Sequence, residues 1–143
     1  MTAIPSGYKD LLEKKAFASL ATVNADGTPQ VTPVWFDWDG SHIRVNTAKG
    51  RIKAKNMRSR PTVSLAIMDP ENPYRYLQIK GRVAFVAETG ADAHIDALAK
   101  KYLGKDRDPY RKADEVRVTF AIAPDRIQVM GETGREGRGQ PRP

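Results

Sequence analysis

The chain has 143 residues, 40% of them hydrophobic, enough for one domain with a real core. Its lack of cysteine excludes a disulfide framework, a thiolate nucleophile, a thiolate zinc site and an iron–sulfur cluster. Lysine and arginine number 24 against 17 aspartates and glutamates, and the net charge of +7 favours an anionic partner.

Taken in order, Ser6 is placed to cap a short helix running to Lys14, with Tyr8, Leu11 and Leu12 on one face. Ala16 to Asn24 is a run of small and β-branched residues, Asp26-Gly27 a hairpin turn, and Thr28 to Trp38 the returning strand. A second turn, Asp39-Gly40, leads into His42 to Thr47, so that three consecutive strands are expected to form a meander. Gly50 to Arg58 reads as a short helix with Ile52 and Met57 inward, stopped before Pro61. Thr62 to Met68 is strand-like, and Asp69-Pro70-Glu71-Asn72-Pro73 has the composition of a turn. The carboxylates of Asp69 and Glu71 are therefore read as turn residues rather than an acid/base pair. Tyr74 to Ala87 is a long strand in which Gly81 suggests a bulge or bend. From Ala91 to Leu103 the apolar residues Ile95, Leu98, Ala99, Tyr102 and Leu103 recur at helical spacing, and Gly104 ends the pattern. Val116 to Ala123 and Arg126 to Met130 are two further strands. The fold class expected is mainly β (α+β), an antiparallel barrel of six or seven strands flanked by helices over residues 1–130. Residues 131–143 form a Gly/Arg-rich tail.

The charge is focused. Residues 1–39 and 69–99 each carry a net −2, and 100–143 carry +4 spread thinly. Between Asp39 and Asp69 there is no carboxylate, while Arg44, Lys49, Arg51, Lys53, Lys55, Arg58 and Arg60 supply +7. A compact anion is the partner such a window fits, although a charge run also serves as a solvated face. Where the third strand turns into the basic helix, Gly50 allows close approach, and the first N–H groups and positive dipole end of the helix make an anion cradle. Arg51 and Lys53 add a planar fork and a point charge to the same place.

Other chemistries lack their residues. His42 and His94 stand 52 positions apart with no carboxylate at metal-ligand spacing, so no metal site is expected and both are read as surface histidines. No phosphate loop or dinucleotide fingerprint follows a strand, and no serine sits in a nucleophile elbow. A nucleic-acid-binding module is suggested by the net charge and the Gly-Arg tail, but the aromatic residues are not interleaved with the basic window as stacking platforms. No apolar run approaches the roughly 18 residues of a membrane span. Met1-Thr2-Ala3-Ile4-Pro5 has neither the charged start nor the apolar stretch of an export signal, so the chain is expected in the cytoplasm, away from membranes. Any reactive atoms then belong to a cofactor, with the chain supplying position and field.

Several segments resemble, in order, the split-barrel flavin-binding superfamily that contains pyridoxamine phosphate oxidase. They are Phe17 to Thr22, Asp26-Gly27-Thr28-Pro29-Gln30-Val31-Thr32-Pro33-Val34-Trp35, the basic helix, and Gly81-Arg82-Val83; the resemblance spans residues 8–130. The flavin mononucleotide (FMN) oxidases of that superfamily carry Ser-Arg-Lys at the phosphate helix, where this chain has Arg51-Ile52-Lys53. Arg-x-Lys followed by Lys55-Asn56-Met57-Arg58 resembles instead the deazaflavin branch, which uses coenzyme F420. The resemblance implies a homodimeric split β-barrel that transfers a hydride between F420 and an electron-poor small molecule, with an FMN-dependent oxidase as the alternative. It implies that Thr32, Pro33 and Val34 face the deazaflavin ring and that Thr47 and Ala48 border it. Arg51, Lys53 and Asn56 would hold the phosphate side, with Lys49 and Lys55 nearby, and Tyr74 and Tyr76 would reach the site from the partner subunit. No proton donor is singled out.

Overall fold

The computed structural model describes residues 2–131. A 3-10 turn, Ser6–Tyr8, and helix α1, Asp10–Glu13, precede the first strand. Then follow β1 Ala18–Val23, β2 Pro29–Val34, β3 Asp37–Trp38, β4 Ile43–Ala48, α2 Ile52–Ser59, β5 Thr62–Asp69, β6 Asn72–Ala87, α3 Ala91–Leu103 and β7 Arg117–Met130. The seven strands form one antiparallel sheet in the order β2-β1-β5-β6-β7-β4-β3, curled into a split β-barrel. No helix among the described residues is long and apolar enough to cross a membrane.

The hairpins lie where turn chemistry places them. Asp26 Oδ1 accepts the Thr28 N–H at 3.0 Å and closes the β1–β2 turn, which sets the register Ala18↔Val34. Asp39 Oδ1 accepts the Ser41 and His42 N–H groups at 2.8 and 2.6 Å and closes β3–β4. The meander, however, does not form. Trp35 and Phe36 break the expected Thr28–Trp38 strand in two, β2 remains the sheet edge beside β1, and β3–β4 crosses to the opposite edge beside β7. Phe36 is fully buried at that break, so burial of one ring carries the chain from one half of the barrel to the other.

β6 and β7 are the spine. Their pairing skips Asp125 at the step from Lys80↔Arg126 to Gly81↔Pro124, which makes Asp125 a bulge. The two strands expected over 116–130 are therefore one bent strand, because the bulge accommodates Pro124 without breaking the ladder. Thr2 completes it, its N–H donating to Pro124 O at 3.0 Å and its hydroxyl to Asp125 O at 2.6 Å. Gly81 is required here: a Cβ would stand 2.6 Å from Ala123 O.

The barrel interior is filled by Leu20, Phe36, Ile43, Leu65, Ile67, Leu77, Ile79 and Phe120, all essentially buried. The expected helix from Ser6 is split in two, and Ser6 does not cap it: Pro5 precedes the 3-10 turn and no side chain bonds its first N–H groups. Its Leu11 and Leu12 nevertheless close one end of the core. Arg75 ties this segment to the sheet, donating to Asp69 at 2.8 Å, to Asp10 at 2.6 and 2.9 Å, and to Gly7 O at 2.7 Å. Asp69 also accepts the Glu71 N–H at 2.9 Å, as a turn residue should, and gains Lys14 as an ion partner at 3.2 Å. α2 packs Ala54 and Met57 inward, but Ile52, expected inward, is 59% exposed in its first turn.

Candidate functional site

The site is built where β4 becomes α2. Gly50, at φ +95°, turns the chain, and Arg51 enters α2 in extended backbone with no side chain capping the helix. The Lys49 N–H donates to Val116 O at 2.8 Å, which brings the segment before β7 alongside. Between these elements lies a cleft of about 250 Å³. Pro33, Val34 and Trp35 from the end of β2 form one side, and Asn46, Thr47, Arg51 and Lys53 the floor and opposite side. Phe17, Ile95, Asp108, Tyr110, Glu115 and Arg117 complete it.

Its electrostatics are one-sided. Arg117 is buried, donating from Nε to Asn46 Oδ1 at 2.9 Å and from Nη1 to Glu115 Oε2 at 3.1 Å. Arg51 reaches the other oxygen of Glu115 at 3.7 Å. Lys53 makes no ion pair among the described residues; burial, then Arg51, then Arg117 hold its amine below the usual lysine range. Three cations thus share the cleft with two carboxylates, Glu115, which pairs with both arginines, and Asp108, which accepts the Tyr110 N–H at 3.0 Å. Thr47 Oγ1, beside them, is buried with no hydrogen-bond partner. A chain that keeps an unpaired lysine and an unpartnered hydroxyl in one recess is arranged for an anion with acceptor oxygens.

Of the residues singled out in the sequence, Pro33, Val34, Thr47, Arg51 and Lys53 come together in this cleft. Ala48 and Lys49 line an adjoining groove of about 550 Å³ that shares Arg51 and Glu115 with it and also carries Lys112. Thr32 pairs with Leu20 on the opposite face of β2 from Pro33. Lys55 is exposed on α2, outside the cleft. Asn56 is buried with its amide engaged: Nδ2 donates to Thr22 at 3.0 Å and Asn24 at 2.8 Å, and Oδ1 accepts from Arg60 at 3.1 Å. It staples α2 to β1 and offers nothing to the cleft. Tyr74 is 58% exposed, and Tyr76 lines a separate apolar depression of about 450 Å³ with Phe17, Ser19, Ala66 and Met68.

The charge of the carboxylate-free window is offset in part by carboxylates from outside it. Asp37 pairs with Arg44 at 2.7 Å, and the single carboxylate of Glu88 is shared by Lys49 at 3.4 Å and Arg58 at 3.6 Å, so that Lys53, Lys55 and Arg60 are left without an ion pair among the described residues. His94 is not a surface residue: it is 5% exposed, held among Asp37, Asn46 and Thr119, because α3 lays that face on β4 and β7. His42 is half-buried, its Nδ1 3.1 Å from Asp39 Oδ2.

Sequence reasoning passed over Arg117, Asn46, Trp35 and Tyr110. Arg117 carried a signal, a cation between Val116 and Val118 in an apolar strand. Trp35 is stacked on Tyr102 at 5.3 Å with the planes 5° apart. The Tyr102 hydroxyl donates to Ala16 O at 2.6 Å, and burial pushes its pKa up to about 12.

An F420H2-dependent biliverdin reductase of Mycobacterium tuberculosis (strain CDC 1551 / Oshkosh) is 34% identical over 112 residues, covering 75% of this chain and 78% of the relative. The solved structure of an F420 reductase superposes with a TM-score of 0.78 at 35% identity, covering 87% of this chain and 98% of the other. The heme storage protein HutZ of Vibrio cholerae, at 19% identity and a TM-score of 0.69 over 91% of this chain and 96% of its own, shares the fold. The sequence pattern of pyridoxamine 5'-phosphate oxidase matches residues 4–131, and the chain belongs to that family.

Proposed function

We propose that this chain is an F420-dependent reductase that binds the cofactor's phosphodiester in the cleft and acts on an electron-poor organic molecule. One observation carries the reading: Arg51, Lys53 and Arg117 outnumber the two carboxylates of the recess, Glu115 and Asp108, and the hydroxyl of Thr47 beside them has no partner. A phosphodiester supplies the missing negative charge and the missing acceptors, including those for the uncapped first turn of α2. Both relatives above 30% identity are named for F420. The adjoining groove, where Lys49, Arg51 and Lys112 stand against Asp114 and Glu115, leads on from the cleft toward solvent and takes the acidic tail of the cofactor.

Reduced F420, when bound, supplies the hydride; the chain supplies position and field. Phe17, Trp35 and Tyr110 present apolar ring surface at the cleft, and the stack on Tyr102 keeps Trp35 from swinging aside. Lys53 and Arg51 hold the anionic arm, and Pro33 and Val34 set how deep the ring can sit. The functional unit is a homodimer. The outward row Pro33, Ser19, Ala66, Gln78 crosses β2, β1, β5 and β6 without a charged side chain, flanked by Phe17, Val31 and Met68, each more than half exposed. A second copy seated there buries that surface and brings its Tyr74 or Tyr76 to the mouth of the cleft. FMN is the second candidate, favoured by the family match, with Arg51 in the place of the oxidases' serine counting against it.

Fluorescence titration with oxidised F420, alongside FMN, tests the reading. F420 binds, and Arg51→Ala weakens it by about tenfold or more, the loss of a charge-assisted hydrogen bond. FMN binding more tightly than F420, or an Arg51→Ala variant of unchanged affinity, overturns it.

A further inference from the structure

His94 connects to the cleft through one side chain. Its Nε2 lies 3.2 Å from Asp37 Oδ1, and its Nδ1 lies 3.0 Å from Thr119 Oγ1 and 3.2 Å from Asn46 Nδ2. The Asn46 amide has one orientation that satisfies all its neighbours. Nδ2 donates one proton to Ala91 O at 2.8 Å and directs the other at His94, while Oδ1 accepts the Arg117 Nε–H at 2.9 Å. Turned over, it would set an NH2 group against the Arg117 N–H and leave Ala91 O without its donor. The Asp37 carboxylate can only accept, so Nε2 carries the proton of the neutral ring, and Nδ1 is left to accept from Asn46 Nδ2, which also lies 3.4 Å from the Thr119 hydroxyl, or from that hydroxyl itself. The result is a directional chain in which Asp37 accepts from His94, His94 from Asn46, and Asn46 from Arg117. Arg117 Nη1 goes to Glu115, and Nη2 makes no hydrogen bond to protein among the described residues.

We propose that His94 is a positioning residue for the cleft: its unprotonated Nδ1 holds the Asn46 amide in the one orientation that aims the Arg117 guanidinium at a bound anion. The inference rests on the reading of the cleft as the F420 phosphodiester site. It predicts an unusual sign. A proton on Nδ1 points to the Thr119 hydroxyl at 3.0 Å, deprives Asn46 Nδ2 of its acceptor on His94, and loosens the anchor of Arg117. Anion affinity then falls on acidification, whereas added positive charge alone would raise it. The groups facing the ring are Asp37 of β3, itself held bidentately by Arg44 at 2.9 and 2.7 Å, Asn46 of β4, and Thr119 of β7, with Arg117 beyond Asn46. On its own helix, Asp92 and Asp96 are drawn to Arg111 at 3.6 and 3.5 Å.

Two substitutions separate positioning from packing. In the His94→Asn variant the amide oxygen can occupy the place of Nδ1 and keep an acceptor for Asn46. In the His94→Gln variant the amide reaches the place of Nε2, keeps the bond to Asp37 and leaves Asn46 without an acceptor. The readouts are the Arg117 Nε–H resonance of the cofactor-free protein, assigned with Arg117→Lys, and the affinity for oxidised F420. At neutral pH the His94→Asn variant matches the parent in both, while His94→Gln shifts the resonance and weakens F420 roughly three- to tenfold, the range of one hydrogen bond. In the parent the resonance moves on acidification; in His94→Asn it does not. Equal behaviour of the two variants, a milder effect of Gln than of Asn, or a parent resonance that stays flat on acidification of the folded protein overturns the proposal. The parent titration needs no variant, so it decides the matter even where a substituted chain fails to fold. A resonance that follows the predicted pattern while F420 affinity ignores both variants upholds the positioning chain and refutes the cleft as the F420 site.

Discussion

Replacing Lys53 by methionine should make the protein more stable and a poorer binder at once. The amine sits half-buried between two guanidiniums, and burial first, then Arg51 and Arg117, hold its pKa below the ordinary 10.5. The unfolded chain thus binds more protons than the folded one between that depressed pKa and 10.5, so stability rises with pH across this alkaline window. Below the window the folded protein carries the cost of a charged, unpaired Lys53. Methionine keeps most of the apolar stem and removes the charge, for a gain of about 0.5–2 kcal/mol. That corresponds to a rise of roughly 2–4 °C in melting temperature for each kcal/mol in a chain of this size. Binding moves the other way. Losing a charged hydrogen bond to a phosphate costs about 1.5–3 kcal/mol, roughly a 10- to 150-fold increase in Kd. Thermal melting from neutral pH into the alkaline window, with F420 fluorescence titration of the same samples, reads both. The melting gap between variant and parent should close as pH rises. A variant that melts lower and binds F420 as tightly as the parent refutes the account of Lys53.

Gly81→Ala forces its Cβ to within 2.6 Å of a backbone oxygen and 2.9 Å of Ile122 Cγ2, and should cost about 1–3 kcal/mol in urea unfolding; an unchanged midpoint would mean the β6–β7 crossing is looser than described. Asp69 is pushed up by burial, but the Glu71 N–H, Arg75 and Lys14 outweigh this, and Asp10 is held low chiefly by Arg75, so both folded pKa values lie below 3.8. Their stabilisation is complete above that value and lost as pH falls through the depressed pKa values. Arg75→Met, which leaves Asp69 buried with Lys14 alone, should cost about 3 kcal/mol at neutral pH and flatten the acid limb of the urea midpoint curve. Ala66→Arg, in the middle of the outward row, should give a monomer by sedimentation equilibrium; a variant still dimeric, or a monomeric parent, removes the proposed interface.

Local features of this fold are written in local sequence. Asp26-Gly27 and Asp39-Gly40 do close hairpins, Gly81 does mark the bend, and of the periodic residues of α3 Ile95, Leu98, Ala99 and Tyr102 are buried while Leu103, in the last turn, is exposed. Strand order is not local. Nothing in Thr28 to Trp38 says that Phe36 will be buried and carry the chain across the barrel, so three consecutive strands looked like neighbours. The same limit applies to charge. Residues 40–68 contain no carboxylate, yet Glu88 and Glu115 return to Lys49, Arg58 and Arg51 through tertiary contacts invisible to a window count. Arg51 and Lys53 were legible because helix start, glycine turn and charge coincide within a few residues. Arg117 was not, since it acts across the sheet through Asn46. His94 could have been placed: it precedes Leu98 and Tyr102 by one and two turns, on the apolar stripe itself.

The central claim is that the start of α2, with Lys53 and Arg117, grips the anionic arm of a redox cofactor. A crystal structure of the complex with F420 tests it most directly. The phosphorus atom should lie within hydrogen-bonding reach of Arg51, Lys53 and the first N–H groups of α2, with the Thr47 hydroxyl acquiring its partner. A cofactor ordered elsewhere, with Lys53 still unpaired, would contradict it.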